Sequence, residues 1–238
     1  MSWRRVRAIF RKELQEYRRN RSLILGMAIL PLVFLIQPLI AILGLGASAS
    51  PGLRHEHVLL YMLGIPSLVP VFVAAYAVVG ERQQGTLEPA LSTPIRREEF
   101  LVAKALAALV PSVVIAYAVF GIFLGIVALF AQPSVASATV RGPDLLAQVL
   151  FTPLLALWSV WVAIAVSTRA SDVRVAQQLG LLACLPAVFV TILIAVNVIH
   201  ATTGLAVGLA AVLLILDGLG WRVISWLFDR ERLITGSS

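Results

Sequence analysis

Three groups of residues in this 238-residue chain have types and spacings that could do chemistry. His55-Glu56-His57 sets two imidazoles beside a carboxylate, the donor types that hold zinc. Asp217 stands alone in an apolar run, where an ionisable group is costly and marks a candidate functional position. The third group is the polar stretch from Gly80 to Lys104, which lies between two apolar blocks. The His-Glu-His triplet has no third ligand nearby and lacks the His-Glu-x-x-His helix spacing, so solvated loop side chains are expected there and no metal site. The chain also has no Gly-x-x-x-x-Gly-Lys phosphate loop, no Gly-x-Ser-x-Gly elbow and no Gly-x-Gly-x-x-Gly fingerprint. No catalytic residue is expected, the chain does not read as an enzyme, and any ATP that powers it must bind another polypeptide.

The polar stretch points to docking instead. Gly85 permits a sharp bend, Thr86 can cap a helix, and Glu88 places negative charge in the first turn of that helix. Thr93 precedes Pro94 and is biased away from the α region, so a short helix over 87–92 must end there. Such a helix has almost no stability of its own because nucleation is costly. It needs a partner surface, and Leu87 and Leu91, four residues apart, form the apolar edge that a partner could accept.

This pattern resembles the cytoplasmic coupling loop of the type-2 ABC-exporter membrane-subunit (permease) family. The matching residues are Glu81, Gly85, Thr86, Leu87, Glu88, Leu91, Thr93, Pro94, Arg97, Glu99, Leu101 and Lys104, while Ala90 and Ala103 replace the Leu and Gly most often seen. The resemblance implies an ABC ATP-binding subunit as partner, with ATP and Mg on that subunit and no cofactor in this chain. It implies a second copy or a paralogue of the membrane subunit as well. It also implies ATPase-coupling roles for Glu81, Gly85, Thr86, Leu87, Glu88, Leu91, Thr93, Pro94, Arg97 and Glu99.

The elements that must position this loop are legible from composition. With 60% hydrophobic and 13% charged residues and a mean hydropathy of +0.94, the chain is far from the charge content of an ordinary soluble protein. Its apolar runs are long enough to cross a hydrocarbon core, at about 22–45, 58–79, 105–130, 145–166, 178–198 and 205–228. The fold expected is an all-α integral membrane protein, with six transmembrane helices preceded by an N-terminal amphipathic interfacial helix. Residues 1–21 form that interfacial helix and 22–228 the transmembrane domain, which carries the coupling loop at 80–104. Residues 229–238 form a polar tail.

Trp3, Val6, Phe10, Leu14 and Tyr17 recur at helical spacing among arginines, which suits a helix lying against anionic headgroups, and the resemblance adds that it leans on the ATPase subunit. Residues 132–144 read as a loop, and Trp158 and Trp161 as membrane-interface residues. Pro66, Pro70 and Pro186 make the second and fifth spans candidates for the wall of a mostly apolar pathway. Cys184, the single cysteine, reads as a packing residue, and Gly121 and Gly125 as a candidate site of close helix approach.

The chain has 19 Lys and Arg and a net charge of +7, and only Arg54 and Arg141 fall on one side of this layout. The asymmetry puts both termini and the 80–104 loop in the cytoplasm and argues for a membrane surface rather than nucleic acid as the basic residues' partner. The expected location is the cell membrane, a bacterial inner or plasma membrane, with multiple passes. Asp217 then lies in the inner half of the sixth span, either snorkelling toward headgroups or acting as a candidate gate residue.

The leading function is the permease subunit of an ATP-driven exporter of a hydrophobic drug, lipid or peptide. One alternative is an ion- or proton-coupled secondary transporter, which needs mid-depth ionisable groups and would have only Asp217. An intramembrane enzyme lacks a catalytic pair among the scattered Gln37, Thr191, Asn197 and Asp217. The other alternative is a non-transporting membrane assembly factor, distinguished by the lack of an ATPase partner.

Overall fold

The computed structural model describes residues 2–44, 56–83, 85 and 96–227. The first helix, α1, runs Trp3–Arg19 and ends with Arg18 and Arg19 in its last turn, where positive charge suits the helix dipole. Asn20 closes it with an N–H bonded back to Glu16 and Tyr17, and its side-chain oxygen accepts from the Leu23 N–H to start the next helix. That helix, α2, spans Arg21–Leu43 and tolerates Pro31 and Pro38 within an apolar run.

The second crossing is built in pieces: a 3-10 helix at Val58–Leu63, α3 at Gly64–Ala74 and α4 at Tyr76–Gln83. A long α5, Arg97–Phe130, follows the polar stretch. Then come the short α6, Pro133–Thr139, and three more crossings, α7 at Gly142–Arg169, α8 at Val173–Ala195 and α9 at Thr203–Leu227. Asp172 caps α8 by accepting from the Arg174 N–H at 2.9 Å. Six of these segments are long and apolar enough to cross a membrane, and no strand occurs among the described residues. The chain is an all-α, multi-pass membrane protein.

The second crossing lies at the centre. It packs against α2, α5, α7 and α8, and Ile65, Val69, Val71, Val73, Ala74, Val78 and Val79 are all fully buried. Gly180 of α8 allows this closeness, since a Cβ there would stand 2.7 Å from the Val71 side chain. The outer helices turn apolar residues outward, among them Leu25, Leu129, Leu182, Val207 and Ile215, as a lipid-bathed surface requires.

Several expectations change here. The second crossing is enclosed by its own chain and presents little surface from which to form the wall of a pathway. Residues 132–144 are not all loop: α6 occupies part of them, with Pro133 as its first residue and Val135, Ala138 and Thr139 buried. Trp161 is buried and meets Trp221 edge-on at 5.8 Å, so it is a core residue and not an interfacial one. Among the described residues nothing of this chain lies within 4 Å of a Cβ added at Gly121 or Gly125, so that face stays open to a helix from another subunit. Residues 229–238, the polar tail, lie outside the described residues together with residue 228.

Candidate functional site

Lys104, a lysine on the third crossing, is among the largest fully buried side chains of the molecule. Its ammonium lies 3.0 Å from a carboxylate oxygen of Glu13 on α1 and 3.0 Å from one of Glu81 on α4, and it sits 4.9 Å from the centre of the Phe100 ring. Glu13 also accepts from the Tyr17 hydroxyl at 3.1 Å, and Lys12 reaches Glu81 at 3.1 Å and Glu16 at 3.2 Å. Two lysines thus face three carboxylates where α1, α4 and α5 meet. Burying such charges is tolerable only because each has opposite charge within hydrogen-bond range.

The electrostatics on α1 follow from this crowding. Burial alone would lower the pKa of Lys12, but Glu81 and Glu13 outweigh it and hold the group above the usual lysine value. Burial pushes the Tyr17 phenol well up, and Glu13 adds to the shift, so Tyr17 stays a hydrogen-bond donor.

A second set of contacts joins α1 to the start of α5. The Ser2 N–H donates to Glu99 at 2.6 Å, and Arg5 lies 3.5 Å from the same carboxylate. Glu99 also accepts from the Arg96 N–H at 3.4 Å and so closes the first turn of α5. Arg82, just past Glu81, donates to the carbonyls of Thr168 and Ala170 at 3.1 and 3.4 Å, groups left open at the end of α7. Both sides of the 84–95 segment are therefore fastened to α1, and the side before it also to the end of α7. Gly85 follows with φ of +66°, a conformation that a side chain would strain.

The site residues expected from sequence fall into three groups. Glu81 and Glu99 are brought together with α1, and both are buried. Gly85 makes the turn, and Arg97 is the first residue of α5. Thr86, Leu87, Glu88, Leu91, Thr93 and Pro94 lie outside the described residues. On α1, Val6 and Tyr17 are buried, Phe10 and Leu14 pack partly against the core, and Trp3 remains 65% exposed. Glu13 was missed, although its signal was present: it stands three residues after Phe10 and four before Tyr17, on the apolar stripe, where a carboxylate needs a cation.

The opposite end of the bundle holds a smaller cluster. His57 Nδ1 is 2.7 Å from Asp144, Arg141 is 3.1 Å from the other oxygen of that carboxylate, and Arg141 also donates to the Glu56 carbonyl. The His57 N–H bonds to the Ala195 carbonyl at 2.8 Å. His57 is therefore not a solvated loop residue: it ties together the starts of the second crossing and α7 and the end of α8. Asp217 is 6% exposed, so it is sheltered by protein and does not snorkel. Neither of its carboxylate oxygens has a hydrogen-bond partner among the described residues.

A family model described as an ABC-2 family transporter protein matches residues 7–227. Comparison with curated proteins finds no match.

Proposed function

The chain belongs to the ABC-2 family of transporter proteins and is a membrane permease subunit of an ABC transporter, and from that premise we propose that it works as an exporter subunit whose 80–104 loop couples to a separate ATP-binding subunit. The observation that carries this reading is the buried Lys104–Glu13–Glu81 cluster. It fastens both flanks of the loop to α1, so that a push on the loop is delivered to three helices together instead of being lost in a slack connection. The loop and both termini face the cytoplasm on the charge asymmetry. ATP and Mg bind the partner, and a second copy or a paralogue completes the pathway. With the second crossing enclosed, the faces left to form that pathway are outer ones, and residues such as Ile36, Ile40, Val114 and Leu182 make them apolar. Such faces suit a hydrophobic drug, lipid or peptide.

Docking rests on Leu87 and Leu91. Burying a leucine is worth roughly 1.5–3 kcal/mol, whereas an exposed ion pair is usually worth less than ~1 kcal/mol. Leu87→Asp with Leu91→Asp is therefore expected to insert normally, lose the ATPase subunit on co-purification and abolish transport, with Glu88→Gln milder. A double variant that retains its ATPase and exports normally would refute the assignment.

A further inference from the structure

The second crossing is interrupted at Ala75, and the agent of the interruption is a side chain from another helix. In an unbroken helix the Val79 N–H would bond to the Ala75 carbonyl. Here the Val78 and Val79 N–H groups donate to the Ser167 hydroxyl oxygen of α7 at 3.2 and 3.1 Å, and that hydroxyl donates to the Ala75 carbonyl at 2.6 Å. A hydroxyl offers one donor and two acceptor positions, and all three are used. Ser167, Val78 and Val79 are fully buried, so no water stands ready to replace it. A side chain inserted into the backbone ladder is a recognised cause of a helix bend. Two residues beyond Val79 comes Glu81, which meets Lys104, and then Arg82, which caps the end of α7.

We infer that Ser167 is a positioning residue that holds this break open and so sets the direction in which α4 carries Glu81 and the coupling loop away from the second crossing. The pin belongs to α7, the helix joined by a short turn to α8. Motion of the loop on nucleotide binding then reaches the α7–α8 pair through one hydroxyl and the Arg82 cap, with no contact to substrate. The inference deepens the coupling reading and rests on it. It differs in what fails: Leu87 and Leu91 govern whether the ATPase binds, and Ser167 governs whether bound ATPase is coupled.

The test uses the complex with its co-purifying ATPase subunit in lipid nanodiscs, comparing Ser167→Ala, Ser167→Thr and Ser159→Ala. Ser159 is the control because its hydroxyl also bonds into the second crossing, at the Ser67 carbonyl, but away from the break. Ser167→Ala is expected to bind the ATPase as the parent does, to speed hydrogen exchange across residues 76–83 by about tenfold or more, and to change Mg-ATP hydrolysis by a similar factor. Ser167→Thr restores both, and Ser159→Ala leaves both near the parent. Unchanged exchange and hydrolysis in Ser167→Ala, or equal effects from Ser159→Ala, overturn the inference. Should Ser167→Ala fail to accumulate, fast exchange at 76–83 in Ser167→Thr overturns it and parent-like exchange supports it. If no ATPase co-purifies with the parent, the coupling reading fails by itself, and exchange at 76–83 still decides whether Ser167 holds the break.

Discussion

A lysine with 1% side-chain exposure is held by charge, and what it stabilises is measured by what its removal leaves behind. Lys104→Ala would leave the buried Glu13 and Glu81 with only the half-exposed Lys12 as a cation, a loss of up to about 3–5 kcal/mol by analogy with other broken buried pairs. We predict a clear fall in the thermal unfolding temperature of the purified protein. Adding Glu13→Gln and Glu81→Gln to Lys104→Met should recover most of it, because the two buried carboxylates are then neutral and Lys12 keeps Glu16 as its partner. If the triple variant is no more stable than Lys104→Met alone, charge does not explain the loss. Asp217 poses the reverse case, a buried carboxylate with no hydrogen-bond partner among the described residues. Since such a group costs stability, Asp217→Leu is expected to raise the unfolding temperature and, if the gate role holds, to lower transport. Transport equal to the parent in both Asp217→Leu and Asp217→Asn removes that role.

At the scale of elements, sequence period and turn chemistry explain most of what was legible. The stripe of Val6, Phe10, Leu14 and Tyr17 defines α1, and the long apolar runs define the crossings within about five residues, except that α5 begins at Arg97 and so takes in residues 97–104 that the sequence assigns to the loop. Gly85 was expected to bend the chain and has the positive φ that only glycine adopts without strain. What was not legible depends on partners distant in the chain. Glu81 and Lys104 read as members of the coupling motif, but nothing near them in sequence shows that Glu13 of α1 pairs with Lys104, and Ser167 looks like an ordinary polar residue until Ala75 opens opposite it. The short α6, with Ser134, Ala136 and Ser137 outside its three buried positions, has too few residues to show a period. Gly85→Ala follows from the bend: an added Cβ meets no described residue within 4 Å, and the conformational penalty is about 1–2 kcal/mol for a left-handed residue. It should weaken ATPase co-purification modestly without altering expression. An effect as large as that of Leu87→Asp with Leu91→Asp would mean that the bend, not the apolar edge, dominates docking.

At the scale of the whole molecule, the two charged clusters occupy opposite ends of the bundle, and their chemistry bears on its orientation. One end carries α1, the Lys104 cluster and the α7–α8 turn with Arg169 and Arg174. The other carries α6 and the His57–Asp144–Arg141 group. Positive charge near short loops is retained on the cytoplasmic side, so the first end is expected to face inward and α6 outward. Cys184 simplifies the test because it is fully buried, with burial raising the barrier to reagent access, so it contributes little background. Ser137 on α6 and Ser171 in the α7–α8 turn are both exposed, and neither takes part in the clusters described above. In intact cells, a membrane-impermeant maleimide is expected to label Ser137→Cys and to spare Ser171→Cys until the membrane is opened. Labelling of Ser171→Cys from outside would invert the protein. The Lys104 cluster and the loop it braces would then be out of reach of cytoplasmic ATP, and the coupling proposal would fall with the topology.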